Sequence, residues 1–233
     1  MKKIILLLFV TFVFADIRVA TAGNVAFAIK DLAKTFYEET HIKVIPVIGS
    51  SGKLTAQIER GAPYDLLLSA NMRYPEYLYK KDLTITKAVV YARGRLVFFS
   101  KKGLKGFDDI FKANKIAIAN PKTAPYGLLT EHFLKDRGLY KKLKSKFVIA
   151  PNISATFSYA MKVTNYGFVA RSLLFKFPKL NNKKHFVELS SFYERTSQGV
   201  VLISDKKEAR KFFLFLFSKK AKQILRKYGY DVN

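Results

Sequence analysis

The residues best placed to do chemistry are Gly49-Ser50-Ser51-Gly52-Lys53. An apolar run, Ile42 to Ile48, precedes them and reads as a buried strand. Leu54 to Glu59 follows and reads as the start of a helix that ends at Gly61. A strand that turns through small residues into a helix leaves the first backbone N–H groups without partners. Those donors and the positive end of the helix dipole form an anion site, and small residues let an anion come close. Ser50 and Ser51 add hydroxyl donors. The same serines are equally suited to capping the helix, so two readings stand at this point. The spacing G-x-x-x-x-G-K-[ST] of a P-loop is absent.

Signs of catalysis are few. The three histidines, His41, His132 and His185, stand in no metal-binding spacing, and no G-x-S-x-G elbow occurs. Asp65 is expected to cap or pair locally, and Asp108 and Asp109 to open a helix. With no cysteine there is neither a disulfide nor a thiolate metal site.

The elements that must position these residues follow from periodicity. Ile17 to Thr21 alternates as a strand, Thr21 to Asn24 reads as a turn, and Val25, Ile29, Leu32, Ala33 and Phe36 make one helical stripe. Tyr64 to Ser69 reads as a third strand and Arg73 to Lys81 as a helix. Further strands are read at Arg95 to Ser100, Lys115 to Ala119, Phe147 to Ala150, Tyr166 to Ala170 and Val200 to Ser204. Helices are read at Tyr126 to Arg137, Ser154 to Val163 and, broken near Ser218, Lys206 to Tyr228. Alternating strands and helices predict an α/β fold with mostly parallel sheets covered by helices. Two comparable blocks, 16–90 and 95–190, predict two lobes. Ligands of open α/β sheets bind at the carboxyl ends of strands. That rule selects Gly23-Asn24, Ser50-Ser51, Ser69-Ala70, Asn120 to Gly127 and Ala150 to Ser154, a polar site between two lobes.

Met1 to Ala15 has a basic start (Lys2, Lys3), an apolar run too short to span a bilayer and small residues before Asp16. It predicts a cleaved signal peptide and export to the periplasm, an uncleaved anchor being the alternative. The formal net charge is +25, or +23 without Lys2 and Lys3. The lysines are dispersed, with no basic run interleaved with aromatics, and together with the export signal this argues against nucleic acid.

The chain resembles the periplasmic molybdate-binding proteins of ABC importers over nearly all of its mature length. The resemblance is carried by Ala22-Gly23-Asn24 with Ala28 to Ala33, by Ser50 to Ile58, by Gly61 to Leu66 with Ser69-Ala70-Asn71, and by Asn120-Pro121 with Ala124 to Gly127. Ser197 to Val201 and Ala221 to Tyr230 complete it. It implies two α/β lobes, 16–90 plus 195–233 and 91–194, closing on a tetrahedral oxyanion held by neutral donors. The matching positions are Asn24, Ser51, Tyr126 and Ile153, the last two through backbone N–H. They would meet molybdate or tungstate through its oxygens, with no direct bond to the metal atom. Where some relatives place a tyrosine, this chain has Ala170.

The resemblance further implies no catalytic residue and no cofactor beyond the oxyanion ligand. It implies a monomer that delivers its cargo to an inner-membrane ABC permease. The lobes would be joined by crossings near Ala88 to Gly94 and Ser191 to Arg195. Rival readings are a sulfate-binding protein and an exported hydrolase with Ser51 as nucleophile. The second needs a base near Ser51, and no histidine lies near it in sequence.

Overall fold

The computed structural model describes residues 16–189 and 197–232. The signal peptide expected at 1–15, the crossing expected at 191–195 and residue 233 lie outside the described residues.

The first lobe starts with β1 (Ile17–Ala22), α1 (Ala28–Thr40), β2 (Val44–Gly49), α2 (Ser51–Glu59), β3 (Leu66–Leu68), α3 (Arg73–Lys80) and β4 (Val89–Arg93). The second holds β5 (Leu96–Ser100), β6 (Ile116–Ala119), α4 (Pro125–Asp136), α5 (Tyr140–Leu143), β7 (Phe147–Ala150), α6 (Ile153–Tyr159), β8 (Tyr166–Ala170), α7 (Arg171–Leu174) and β9 (Phe186–Glu188). The chain then returns to the first lobe as β10 (Ser197–Leu202), α8 (Lys207–Phe215) and α9 (Lys219–Lys227).

Each lobe is built on one five-stranded sheet, in the orders β2-β1-β3-β10-β4 and β7-β6-β8-β5-β9. In each sheet four strands point the same way, as expected of a mostly parallel sheet, and one, β10 or β5, runs against them. β1 pairs in parallel with β2 and β3, while β10 runs antiparallel to β3 and β4. In the second sheet β6 is parallel to β7 and β8, and β5 is antiparallel to β8 and β9. The reversed strand of each sheet is the first described strand that the chain forms after coming from the other lobe.

The three-leucine run of β3 shows why these strands are continuously apolar. Leu66 and Leu68 pack with Ile29, Leu32, Phe36 and Phe212 on one face, and Leu67 packs with Leu54, Ile58 and Leu78 on the other. Both faces carry helices, so the period-two alternation of a half-exposed strand has no place here. The second lobe is centred on Phe98, Phe107, Phe133 and Phe168, with ring centroids 5.2–6.5 Å apart.

Several boundaries differ from those expected. α2 begins at Ser51, three residues before Leu54, so the serine pair lies at its first turn. β1 runs to Ala22, and Gly23–Val25 is a short 3₁₀ turn leading to α1. The stretch from Ala88 to Gly94, expected as a crossing, holds β4. The passage between sheets falls between Arg93 and Leu96. α8 and α9 are separated at Ser218, whose hydroxyl accepts from Ala221 N at 3.2 Å and caps α9. No described helix is long and apolar enough to cross a membrane.

Candidate functional site

Four segments converge at the carboxyl ends of β1, β2, β6 and β7. They are the 23–25 turn after β1, the start of α2 after β2, the start of α4 after β6 and the start of α6 after β7. They enclose a cleft of about 180 Å³ of atom-free space. Its lining is Ala22, Gly23, Asn24, Gly49, Ser50, Ser51, Ala70, Ala124, Pro125, Tyr126 and Ile153. All four residues selected from the sequence, Asn24, Ser51, Tyr126 and Ile153, are brought together here and are 0–3% exposed. A cleft of this size has no room for a drug-sized molecule.

No lysine, arginine, histidine or carboxylate lines this cleft. Its donors are neutral. Ser51, Tyr126 and Ile153 fall at the first or second position of α2, α4 and α6, where a backbone N–H has no intrahelical acceptor. Pro125 has no N–H to lose at the start of α4. The Asn152 side chain caps α6 by accepting from Ala155 N at 2.9 Å, so it closes one donor and leaves the first turn facing the cleft.

The serines do not cap α2. Ser50 holds the N-cap position without a capping hydrogen bond, and its buried Oγ has no partner. Ser51 Oγ accepts from Ala70 N at 3.1 Å, which fixes the oxygen and leaves its proton to be donated. A buried hydroxyl without a partner is costly, and two adjacent hydroxyls with unspent protons mark a place where an acceptor belongs.

For Asn24 both side-chain and backbone donation were open from the sequence. Its Nδ2 donates to Gln198 Oε1 at 2.8 Å and Tyr230 Oη at 3.0 Å, which spends both amide protons within the protein. The remaining Oδ1 is buried without a partner and can only accept. Asn24 can therefore serve a deprotonated oxyanion only by its backbone N–H. Its carbonyl is held by Tyr230 Oη at 2.8 Å and Ser172 Oγ at 2.9 Å.

Sequence reasoning missed the polar cluster behind the cleft. Gln198, fully buried, accepts from Tyr91 Oη at 2.9 Å and donates to Tyr126 Oη at 3.3 Å. Burial pushes the phenols of Tyr91, Tyr126 and Tyr230 well above their ordinary value. They stay protonated, and the cluster carries no charge. Gln198 and Tyr230 lie in stretches that carry the family resemblance, but nothing in their spacing shows that they meet.

The lobes touch around the cleft. Gly52 N donates to Thr123 O at 2.9 Å, and Ser172 Oγ reaches Asn24 O. A Cβ on Gly52 would fall 2.7 Å from Tyr74 Oη and 2.9 Å from Thr123 O, so the approach needs a glycine. Arg171, next to Ala170, is engaged elsewhere. It lies between the rings of Phe175 and Phe186 and pairs with Glu188 at 3.6 Å. Asp65 is likewise structural, but its partners are distant in sequence: Arg18 N, Ser204 Oγ and Lys206. Among the described residues no group of three His, Cys, Asp or Glu could hold a metal ion.

A family model described as bacterial extracellular solute-binding protein matches residues 17–231. This chain belongs to that family. The molybdate-binding protein ModA of Azotobacter vinelandii is 34% identical over 230 residues, covering 94% of this chain and 90% of that protein. ModA of Rhodobacter capsulatus is 30% identical over 92% of this chain and 88% of its own. The solved periplasmic molybdate-binding protein of A. vinelandii superposes with a TM-score of 0.86 at 29% identity, covering 94% of this chain and all of that one.

Proposed function

We propose that this protein binds molybdate or tungstate between its lobes and delivers the oxyanion to an ABC permease after export to the periplasm, acting as a monomer. The observation that carries the reading is the convergence of neutral donors from both lobes on one small cleft free of charged side chains. The relatives named molybdate-binding support the choice of ligand. In this reading Ser51 donates its hydroxyl and backbone N–H, and Asn24, Tyr126 and Ile153 donate backbone N–H. Aligned amides can hold a dianion when every oxygen is saturated in a dry site. The lobe division in this reading is 16–94 plus 195–233 and 95–194, the first boundary lying after position 90 because β4 pairs with β10 in the first sheet. A hydrolase reading has no support in the cleft, where Ser51 faces neither a histidine nor a carboxylate.

Specificity follows from size and from the donor set. Sulfate is smaller than molybdate and would leave donors unmet, and an unmet buried donor is costly. Calorimetric titration is expected to give molybdate and tungstate affinities at least a hundredfold above sulfate, about 3 kcal/mol. Equal affinity for sulfate would refute the assignment. Ser51→Ala removes one hydroxyl from a desolvated dianion and is expected to cost on the order of 1.5–3 kcal/mol of binding. An unchanged titration curve would remove Ser51 from the site.

A further inference from the structure

We infer that Gln198 is a positioning residue that clasps the phenol of Tyr126 across the lobes and thereby sets how long the closed cleft keeps its oxyanion. This rests on the oxyanion-binding reading above. Gln198 lies in β10 of the first lobe and does not itself line the cleft. It contacts one lining residue from each lobe, Asn24 and Tyr126.

The orientation of its carboxamide is determined by its neighbours. Oε1 accepts from both Asn24 Nδ2 and Tyr91 Oη, which occupies both lone pairs. Turning the amide over would aim its NH₂ at the Asn24 amide donor and leave a buried mismatch. Nε2 is thus held toward Tyr126 Oη, which α4 carries in from the second lobe.

Gly94 gives a second, independent observation. It lies where the chain passes from β4 to β5, and a Cβ there would fall 2.3 Å from Gln198 Nε2 and 2.3 Å from Tyr126 Oη. The crossing therefore leaves space for this contact and for no side chain. When the lobes part, Tyr126 leaves with the second lobe and Gln198 stays with the first. The bond exists only in the closed arrangement, so it opposes opening and has no role in the encounter of the open protein with its ligand.

The test uses the full mature protein with Gln198→Met, Tyr126→Phe, the double variant and Gly94→Ala. Tyr126→Phe removes one oxygen and keeps the backbone N–H. The probe is whichever of molybdate, tungstate, sulfate and phosphate raises the wild-type melting temperature most. Association and release are followed by stopped-flow tyrosine fluorescence. Each single variant is expected to release the probe about tenfold faster, with association within about twofold of wild type, because only the Tyr126 bond is broken on opening; the Asn24 and Tyr91 bonds that Gln198→Met also removes lie within the first lobe in either state. The double variant is expected to release no faster than either single one.

Unchanged release, additive effects, or a loss carried by slower association would overturn the inference. If Gln198→Met does not fold, Tyr126→Phe decides alone by the same criteria. Tight molybdate binding with unaltered release removes the clasp and leaves the proposed function standing. A wild type that prefers sulfate or phosphate, yet whose variants release that ion faster, does the reverse. No response to any of the four ions overturns both.

Discussion

Replacing Asn24 by aspartate is expected to abolish oxyanion binding, by more than a thousandfold, with little change in side-chain volume. The buried Asn24 carboxamide spends its NH₂ on Gln198 and Tyr230 and leaves Oδ1 without a partner. Aspartate would put a negative charge among the cleft's lining residues, where no basic side chain offsets it. At roughly 6 Å and an effective dielectric of about 20, a unit charge and a dianion repel by about 5 kcal/mol. A thousandfold loss needs only about 4 kcal/mol. The carboxylate also faces Gln198 Oε1, acceptor against acceptor, which weakens the lobe contact. Asn24→Ala is the control for shape. It keeps the backbone N–H and introduces no charge, so its loss is expected to be about tenfold, the value of one or two neutral hydrogen bonds. Calorimetry of both variants with molybdate separates these effects. An aspartate variant binding within tenfold of wild type would show that residue 24 does not face the anion.

The positions that line the cleft were legible because strand-to-helix turns have local signatures. Small and polar residues after an apolar run mark where a helix start opens toward a ligand, and Ser51, Tyr126 and Ile153 were found that way together with the family resemblance. The role of the Asn24 side chain was not legible. An asparagine offers donors and an acceptor in one group. Which end is spent inside the protein is decided by Gln198 and Tyr230, 174 and 206 residues away. Strand β4 was hidden for a related reason. Val89 and Val90 are partly exposed at the sheet edge, and pairing with β10 is a property of the whole lobe. The one reversed strand of each sheet, β10 and β5, was not legible because parallel and antiparallel strands buried on both faces have the same continuous apolar pattern.

Gly127→Ala is expected to destabilise the protein by about 3 kcal/mol, although alanine is the better helix former. Gly127 is the third residue of α4, and the chain there lies directly on the end of β6. A Cβ would fall 2.3 Å from Ala119 O and 2.8 Å from both Ala119 C and Asn120 C. These are backbone atoms of a buried strand and its exit turn, so no rotamer change relieves the clash. The helix must lift instead. Lifting it strains the Gly127 N to Ala124 O bond of 2.9 Å and the Ala124 N to Asn120 O bond of 2.9 Å that anchor the α4 start. It also moves the Tyr126 backbone N–H, the donor proposed for the second lobe at this turn. For a chain of this length 1 kcal/mol corresponds to roughly 2–4 °C, so the melting temperature is expected to fall by about 6–12 °C. Weaker molybdate binding is expected to accompany the fall, because the same displacement that relieves the clash withdraws the donor. A surface control, Gly138→Ala, meets no neighbouring atom within 4 Å but sits at φ +66°, so its cost is confined to local backbone strain of about 1 kcal/mol. Calorimetric melting of the two variants decides the matter. If Gly127→Ala melts within 2 °C of wild type, the close seat of α4 on β6 is not what holds the Tyr126 donor in place.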